Sequence, residues 1–178
     1  MLWFTSDTHL DHKNILKYTS RPFNTVDEMN ENLVLIWNSL VRPGDTVYHL
    51  GDFAFARHEY WRNRLNGQIV LIEGSHDRMD SKARKSFQWV GPRHTVHGDP
   101  DIILSHYAMR VWPRSHYGTW HLYGHSHGRL PGLGKSFDVG VDCHGLAPIS
   151  LDRVREIMAG LTEIGGVDER YVGEEKQT

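Results

Sequence analysis

Aspartate and histidine together supply the oxygen and nitrogen donors that hold divalent cations. In this chain they stand at the end of nearly every apolar run. Asp7 and His9 follow "LWFTS", Asp52 follows "VYHLG", His76 and Asp77 follow "QIVLIEGS", His106 follows "IILS", and His125 and His127 follow "WHLYG". A single histidine at a strand end is ordinarily a solvated or capping residue. Five such ends call for another explanation, because in an open α/β sheet the crevice beyond the carboxyl ends of the strands gathers groups far apart in sequence. Asp7/His9 and His125/His127 are spaced i, i+2, which places each pair on one side of an extended segment. The mixed donor set and the lone cysteine, Cys143, disfavour a structural zinc site and suit a catalytic centre for Mn²⁺, Fe²⁺ or Zn²⁺. A carboxylate such as Asp52 can bridge two ions about 4 Å apart, the geometry in which a hydroxide attacks phosphorus while both cations neutralise the developing charge.

These donors need strands to carry them. "LWFTSD", "DTVYHLGD", "QIVLIEGSHD", "DIILSHY", "WHLYGHSH" and "SFDVGVD" read as strands that end in polar or glycine residues. Val26, Met29, Leu33, Ile36, Trp37 and Leu40 recur at helical spacing behind Thr25, a candidate N-cap. "HEYWRNRL", "DSKARKSFQ" and "LDRVREIMAGL" are further helical segments. Alternation of strands and helices in the first half predicts β-α-β units and a largely parallel sheet. From Thr95 onward strands follow one another, which predicts hairpins. Residues 1–161 form one expected domain, and the acidic, glycine-containing stretch 162–178 is expected to be a disordered tail.

Composition narrows the function classes. Apolar residues make up 39% and charged residues 24% of 178, with no apolar stretch long enough to span a bilayer. A formal charge of −2 argues against a surface built to grip long nucleic acid, while local arginines remain able to hold a small phosphate. The first strand begins at residue 2, leaving no room for a cleavable leader, and one cysteine permits no intrachain disulfide. A cytoplasmic location is the expectation.

"SDTH", "HLGD", "EGSHD", "LSHY" and "YGHSH" resemble, in order, the calcineurin-like metallophosphoesterase blocks D-x-H, G-D, G-N-H-D, H and G-H-x-H. "HKNIL", "RPF", "MRVW" and "SFDVGVD" resemble a small, lid-free bacterial and phage subgroup of that superfamily. The resemblance implies an α/β fold, a four-layer α/β/β/α sandwich with two mixed β-sheets flanked by helices. It implies two divalent metal ions as cofactors, Mn²⁺ above all, with Fe²⁺, Zn²⁺, Ni²⁺ and Co²⁺ compatible. Asp7, His9 and His127 would hold the first, His106 and His125 the second, and Asp52 would bridge them. His76 would be the general acid or phosphate contact, with Asp77 setting its tautomer and orientation. The family has asparagine where this chain has Ser75, whose shorter side chain reaches the second ion directly only if the backbone shifts. A loosened second site is the favoured consequence.

On the substrate side, His12 and Lys13, with Asn14 beside them, stand where a helix should begin and would face a phosphate at its N-terminus. Arg78 and Arg110 would steady the phosphoryl group from the rim, and Tyr107, Trp112 and Trp120 are candidate stacking surfaces for a base. His49 reads as a packed or supporting histidine. Asp142 and His144 border the site without being ligands. The function expected is a phosphodiesterase acting on a small nucleotide or cyclic-nucleotide-type diester by attack of a metal-bound hydroxide. A phosphomonoesterase or nucleotide pyrophosphatase would use the same centre, and a non-catalytic metal-binding scaffold is the alternative from another class. The partner expected is a small phosphorylated substrate, without membrane or long nucleic acid; a homodimer is compatible with a domain this size.

Overall fold

In a computed structural model, residues 1–162 are described; the predicted tail lies almost wholly outside them. Their order is β1 (Leu2–Thr5), α1 (Ile15–Tyr18), α2 (Val26–Leu40), β2 (Thr46–His49), α3 (His58–Arg64), β3 (Gln68–Ile72), α4 (Ser81–Arg84), β4 (Trp89–Gly91), β5 (Arg93–Val96), β6 (Ile102–Ser105), β7 (Trp120–Tyr123), β8 (Ser136–Asp138), β9 (Ile149–Ser150) and α5 (Leu151–Gly160). The class is α/β, with two mixed sheets flanked by helices. One sheet runs β4-β3-β2-β1-β9, parallel except for β9; the other runs β5-β6-β7-β8, parallel except for β5.

The pleat of β3 explains how the layers are joined. Ile69 and Leu71 enter the core beneath α2 and α3, whereas Val70 and Ile72 enter a second core shared with Leu104 of β6, Leu122 of β7 and Met158 of α5. A strand buried on both faces needs the uninterrupted apolar run "IVLI" that the sequence shows. On α2, Met29, Leu33, Val34 and Trp37 form the buried stripe. Its start is closed by the Thr25 side chain, which accepts from the Glu28 N–H at 3.1 Å, while the Glu28 carboxylate accepts from the Asn24 N–H at 2.9 Å. Such a cap contributes about 1 kcal/mol.

The expected hairpins are confined to β5–β6. The pairs β6–β7 and β7–β8 are parallel, because residues 106–119 and 124–135 cross over instead of turning back. The first of these crossovers covers the outer face of the second sheet. Trp112 is buried there against His121, with ring centroids 5.4 Å apart, and its Nε1 donates to the Thr119 carbonyl. Trp120 packs against the second core. Trp112 is thus closed to a ligand, and Trp120 is partly buried. Both sheets deliver the carboxyl ends of β1, β2, β3, β6 and β7 to the loops that carry the aspartates and histidines.

Candidate metal centre

The loops after β1, β2 and β7 turn sharply. Asp7, His9, Asp52, His125 and His127 all have left-handed backbones, with φ of 59°, 50°, 53°, 67° and 48°. Residues with a Cβ seldom adopt this region, and such strain concentrates at functional sites where the surroundings impose it. Two groups result. Asp7, His9 and His127 bring one donor atom each to within 4.8 Å of one another, and Asp52, His106 and His125 do the same.

The two carboxylates are held alike. Asp7 Oδ2 accepts from the His125 N–H at 2.8 Å, leaving Oδ1 3.8 Å from His9 Nε2. Asp52 Oδ1 accepts from the His76 N–H at 2.9 Å, leaving Oδ2 3.6 Å from His9 Nε2 and 3.5 Å from His106 Nε2. One oxygen of each is thus anchored by the backbone of a histidine, and the other faces the histidine rings. His106 Nδ1 lies 2.7 Å from the Leu50 carbonyl, so it carries the proton and Nε2 presents its lone pair. Asp7 Oδ1, His9 Nε2 and His106 Nε2 are buried without a hydrogen-bond partner. Unsatisfied buried polar atoms are uncommon, and these three fit divalent cations: each is a lone-pair donor facing other donors.

The electrostatics of these groups pull in both directions: against desolvation, the Asp52 carboxylate raises His106 and the Asp142 carboxylate raises His127. Burial pushes the Asp7 carboxyl up to about 7, against the pull of His106 and His127. Burial also draws His9 down to about 2, so its ring is the neutral form a cation requires. Desolvation opposes ionisation of Asp52, yet the His106 ring and the His76 N–H together hold its carboxyl well below the usual range.

The remaining predicted residues divide. Ser75 Oγ lies 3.3 Å from both oxygens of Asp52, so its hydroxyl is spent on the carboxylate. The His76 ring sits at the mouth of the centre, 5.5 Å from the rings of both His9 and His12. Asp77 does not orient it. The Asp77 carboxylate accepts from the backbone N–H groups of Asp52, Phe53 and Gly74, each at 2.8 Å, and so ties the β2 and β3 loops together. Gly74 is needed for close approach more than for an unusual turn, since a Cβ there would strike Asp52 N and Oδ1. The helix N-terminus expected at His12 and Lys13 is absent: α1 begins at Ile15 and has one turn. Lys13 is exposed, while His12 is placed by its packing against His9 and Phe55. Tyr107, exposed, lies 4.6 Å from the His125 ring. Arg110 lines a hollow with Met109, Tyr123, Leu130 and Leu133 that includes none of the metal-group residues, and Arg78 lines another beside Phe55.

His49 is buried, with Nε2 3.0 Å from Thr8 Oγ1, a supporting position. Desolvation, with the charges of Asp138 and Asp142 beside it, pushes the Cys143 thiol up to about 12, which makes it a poor nucleophile. Two residues that are not predicted ligands support the site: Asp142, expected at its border, and Arg21. Asp142 Oδ2 is 2.7 Å from His127 Nδ1, fixing which nitrogen faces the first group. Arg21 grips both Asp142 oxygens at 2.8 Å and donates to the carbonyls of Thr8 and Asp7. The signals were "RPF" and "VGVD", which flank the motif blocks without containing ligands.

Uncharacterized protein MJ1445 of Methanocaldococcus jannaschii is 34% identical over 169 residues, 88% of this chain and 90% of that protein. The chain belongs to its family. Gene 66 protein of Mycobacterium phage L5 is similar to this MJ1445-family member at 26% identity over 204 residues, covering 93% of the chain and 97% of the phage protein. The crystal structure of the protein of unknown function AQ665 from Aquifex aeolicus matches with a TM-score of 0.72 at 23% identity, over 88% of this chain and 98% of that one. That likeness concerns the fold alone. No family model matches the chain. Among the described residues, no helix is long and apolar enough to cross a membrane.

Proposed function

We propose that this chain is a metal-dependent phosphoesterase of the calcineurin-like superfamily, its two sheets the inner layers of that superfamily's four-layer sandwich, acting on a small nucleotide-type phosphodiester. The observation that carries the proposal is Asp52 Oδ2, which faces His9 of one donor group and His106 of the other. A shared carboxylate oxygen suits a pair of cations better than two independent sites.

Asp7, His9 and His127 would hold one cation and Asp52, His106 and His125 the other. When bound, the pair supplies Lewis acidity and charge neutralisation at phosphorus. The protein's own groups do the rest. Asp77 and the His76 N–H keep Asp52 in register, and Asp142 holds His127. His76, at the mouth of the site, would give a proton to the leaving oxygen as the oxygen of water bonds to phosphorus, the P–O bond to the leaving group breaks and the water's proton passes to solvent. Ser75 makes no demand on a cation that Asp52 does not already meet.

The test is hydrolysis of bis(p-nitrophenyl) phosphate and p-nitrophenyl phosphate by chelator-treated protein reloaded with Mn²⁺. Turnover that is lost on chelation, is lost in His76→Ala and favours the diester is expected. Preference for the monoester would overturn the substrate class, and inactivity of the reloaded protein toward both would overturn the enzyme reading.

A further inference from the structure

Next to the histidine cluster lies a second feature that the metal centre does not use. The segment after β2 and the segment after Asp77 enclose a hollow of about 390 Å³, lined by Phe55, Arg57, His58, Tyr60, Arg78 and Met79 among others. That volume is within the range of small-molecule sites, about 300–1,000 Å³. Phe55 joins it to the centre: its ring is 4.9 Å from His12 and 6.0 Å from His76, yet 56% of the residue is exposed, so an aromatic face is left free for a ligand.

Two of the charges that line the hollow, Asp80 and Arg78, have no ion-pair partner among the described residues. Glu59 pairs with Lys82 at 2.9 Å, and Arg57 is held by Asp11. The Asp80 carboxylate accepts from the Ala83 N–H and caps α4. The Arg78 guanidinium has no ion-pair or hydrogen-bond partner among the described residues, while its backbone N–H donates to the His76 carbonyl at 2.8 Å. His58, 5% exposed, also borders the hollow with Nε2 lacking a hydrogen-bond partner. An exposed flat ring beside a free guanidinium is a recognition pair for a planar group that carries an anion.

We infer that this hollow is the leaving-group subsite, and that it takes a nucleotide, with the base on Phe55 and a phosphate distal to the scissile bond on Arg78. The inference rests on the phosphodiesterase reading for its role, since His76 stands between hollow and centre on the side where a leaving oxygen would need a proton. The substrate is then a diester that joins a second nucleotide, such as a short 5′-phosphorylated oligonucleotide. A cyclic mononucleotide would leave the hollow unfilled.

The test uses 5′-AMP as probe and the full chain in chelator, so that no cation can recruit the phosphate, with binding followed by calorimetry. Saturable binding is expected. Phe55→Ala and Arg78→Met should each weaken it about tenfold. Adenosine, without the phosphate, should bind more weakly than AMP to the parent chain and equally to Arg78→Met. His125→Ala should leave AMP binding unchanged. Thermal melts of the two exposed-site variants guard against misfolding. Absence of saturable AMP binding, or binding that ignores both substitutions, overturns the subsite. Hydrolysis of bis(p-nitrophenyl) phosphate, measured in parallel with Mn²⁺, separates the two ideas. Turnover without AMP binding would sink the subsite alone, and AMP binding without turnover would sink the enzyme reading while leaving a nucleotide site.

Discussion

Arg21→Met tests whether the scaffold behind His127 is as stressed as its geometry implies. The Arg21 side chain is fully buried and pairs with an Asp142 side chain that is 9% exposed. It makes two bonds to Asp142 at 2.8 Å, one to the Thr8 carbonyl at 2.8 Å and one to the Asp7 carbonyl at 2.6 Å. Counting each charged bond at about 1.5–3 kcal/mol would give a loss of about 6–12 kcal/mol. That sum overstates the cost, because the bonds share one group and the site relaxes when it is removed. The measured cost of stranding one partner of a buried pair, about 3–5 kcal/mol, is the better guide. We therefore expect metal-free Arg21→Met to lose about 4 kcal/mol, or about 8–16 °C in melting temperature for a chain of this size. Arg21→Lys should recover little, since an ammonium cannot reproduce the fork.

The double variant Arg21→Met/Asp142→Asn decides the cause. If the penalty is a stranded Asp142 carboxylate, removing its charge as well should return about 2–3 kcal/mol relative to the sum of the single substitutions. Urea denaturation in chelator measures Arg21→Met, Asp142→Asn and the double variant. A melting loss below about 3 °C for Arg21→Met, or strict additivity in the double variant, would refute the reasoning.

Three other outcomes follow from the same geometry. Gly74→Ala should lower Mn²⁺ affinity by about 10–100-fold in calorimetric titration while leaving the circular dichroism spectrum intact, because the added Cβ displaces Asp52 rather than the sheet. Asp77→Asn should cost about 2–4 kcal/mol in metal-free denaturation, since its amide presents a donor to N–H groups that need an acceptor; unchanged stability would contradict the tie between the two loops. Metal-free stability should also fall as pH drops from about 6.5 toward 4. Burial lowers His49 to about 3 and His121 to about 4, so the unfolded chain takes up protons first; their contribution is complete above the unfolded value of 6.5 and lost as pH falls through the folded ones. Asp7, raised to about 7, works with opposite sign between 3.8 and 7, and His9, lowered to about 2, outweighs it together with the other two. A denaturation midpoint that rises on acidification would show that the buried histidines are already charged in the folded state.

What could be read from the sequence was whatever a single segment specifies. "IVLI" is apolar throughout because β3 is covered on both faces, and the strand-end aspartates and histidines are conspicuous because those types are otherwise expensive to bury. The donors stand out by type and position because ligands converge where strands end, whereas their division into two groups is what the resemblance to the family blocks implies. The crossovers after β6 and β7 were misread as turns, since a short strand looks the same whether its neighbour is parallel or antiparallel.

Arg21 is beyond reach for a different reason, and Asp142 is legible only as a residue that borders the site. They are 121 residues apart, and an arginine before proline reads as surface. What makes them important is the carbonyl groups that the left-handed turns at Asp7 and His9 leave inside. Those turns take Asp7 and His9 out of the β-ladder, and the freed acceptors of Thr8 and Asp7 need a donor that is not backbone. Arg21 is that donor, its charge requires Asp142, and Asp142 in turn fixes the His127 ring. The supporting roles follow from the strain in the ligand loops, so they become legible only once the backbone of those loops is known.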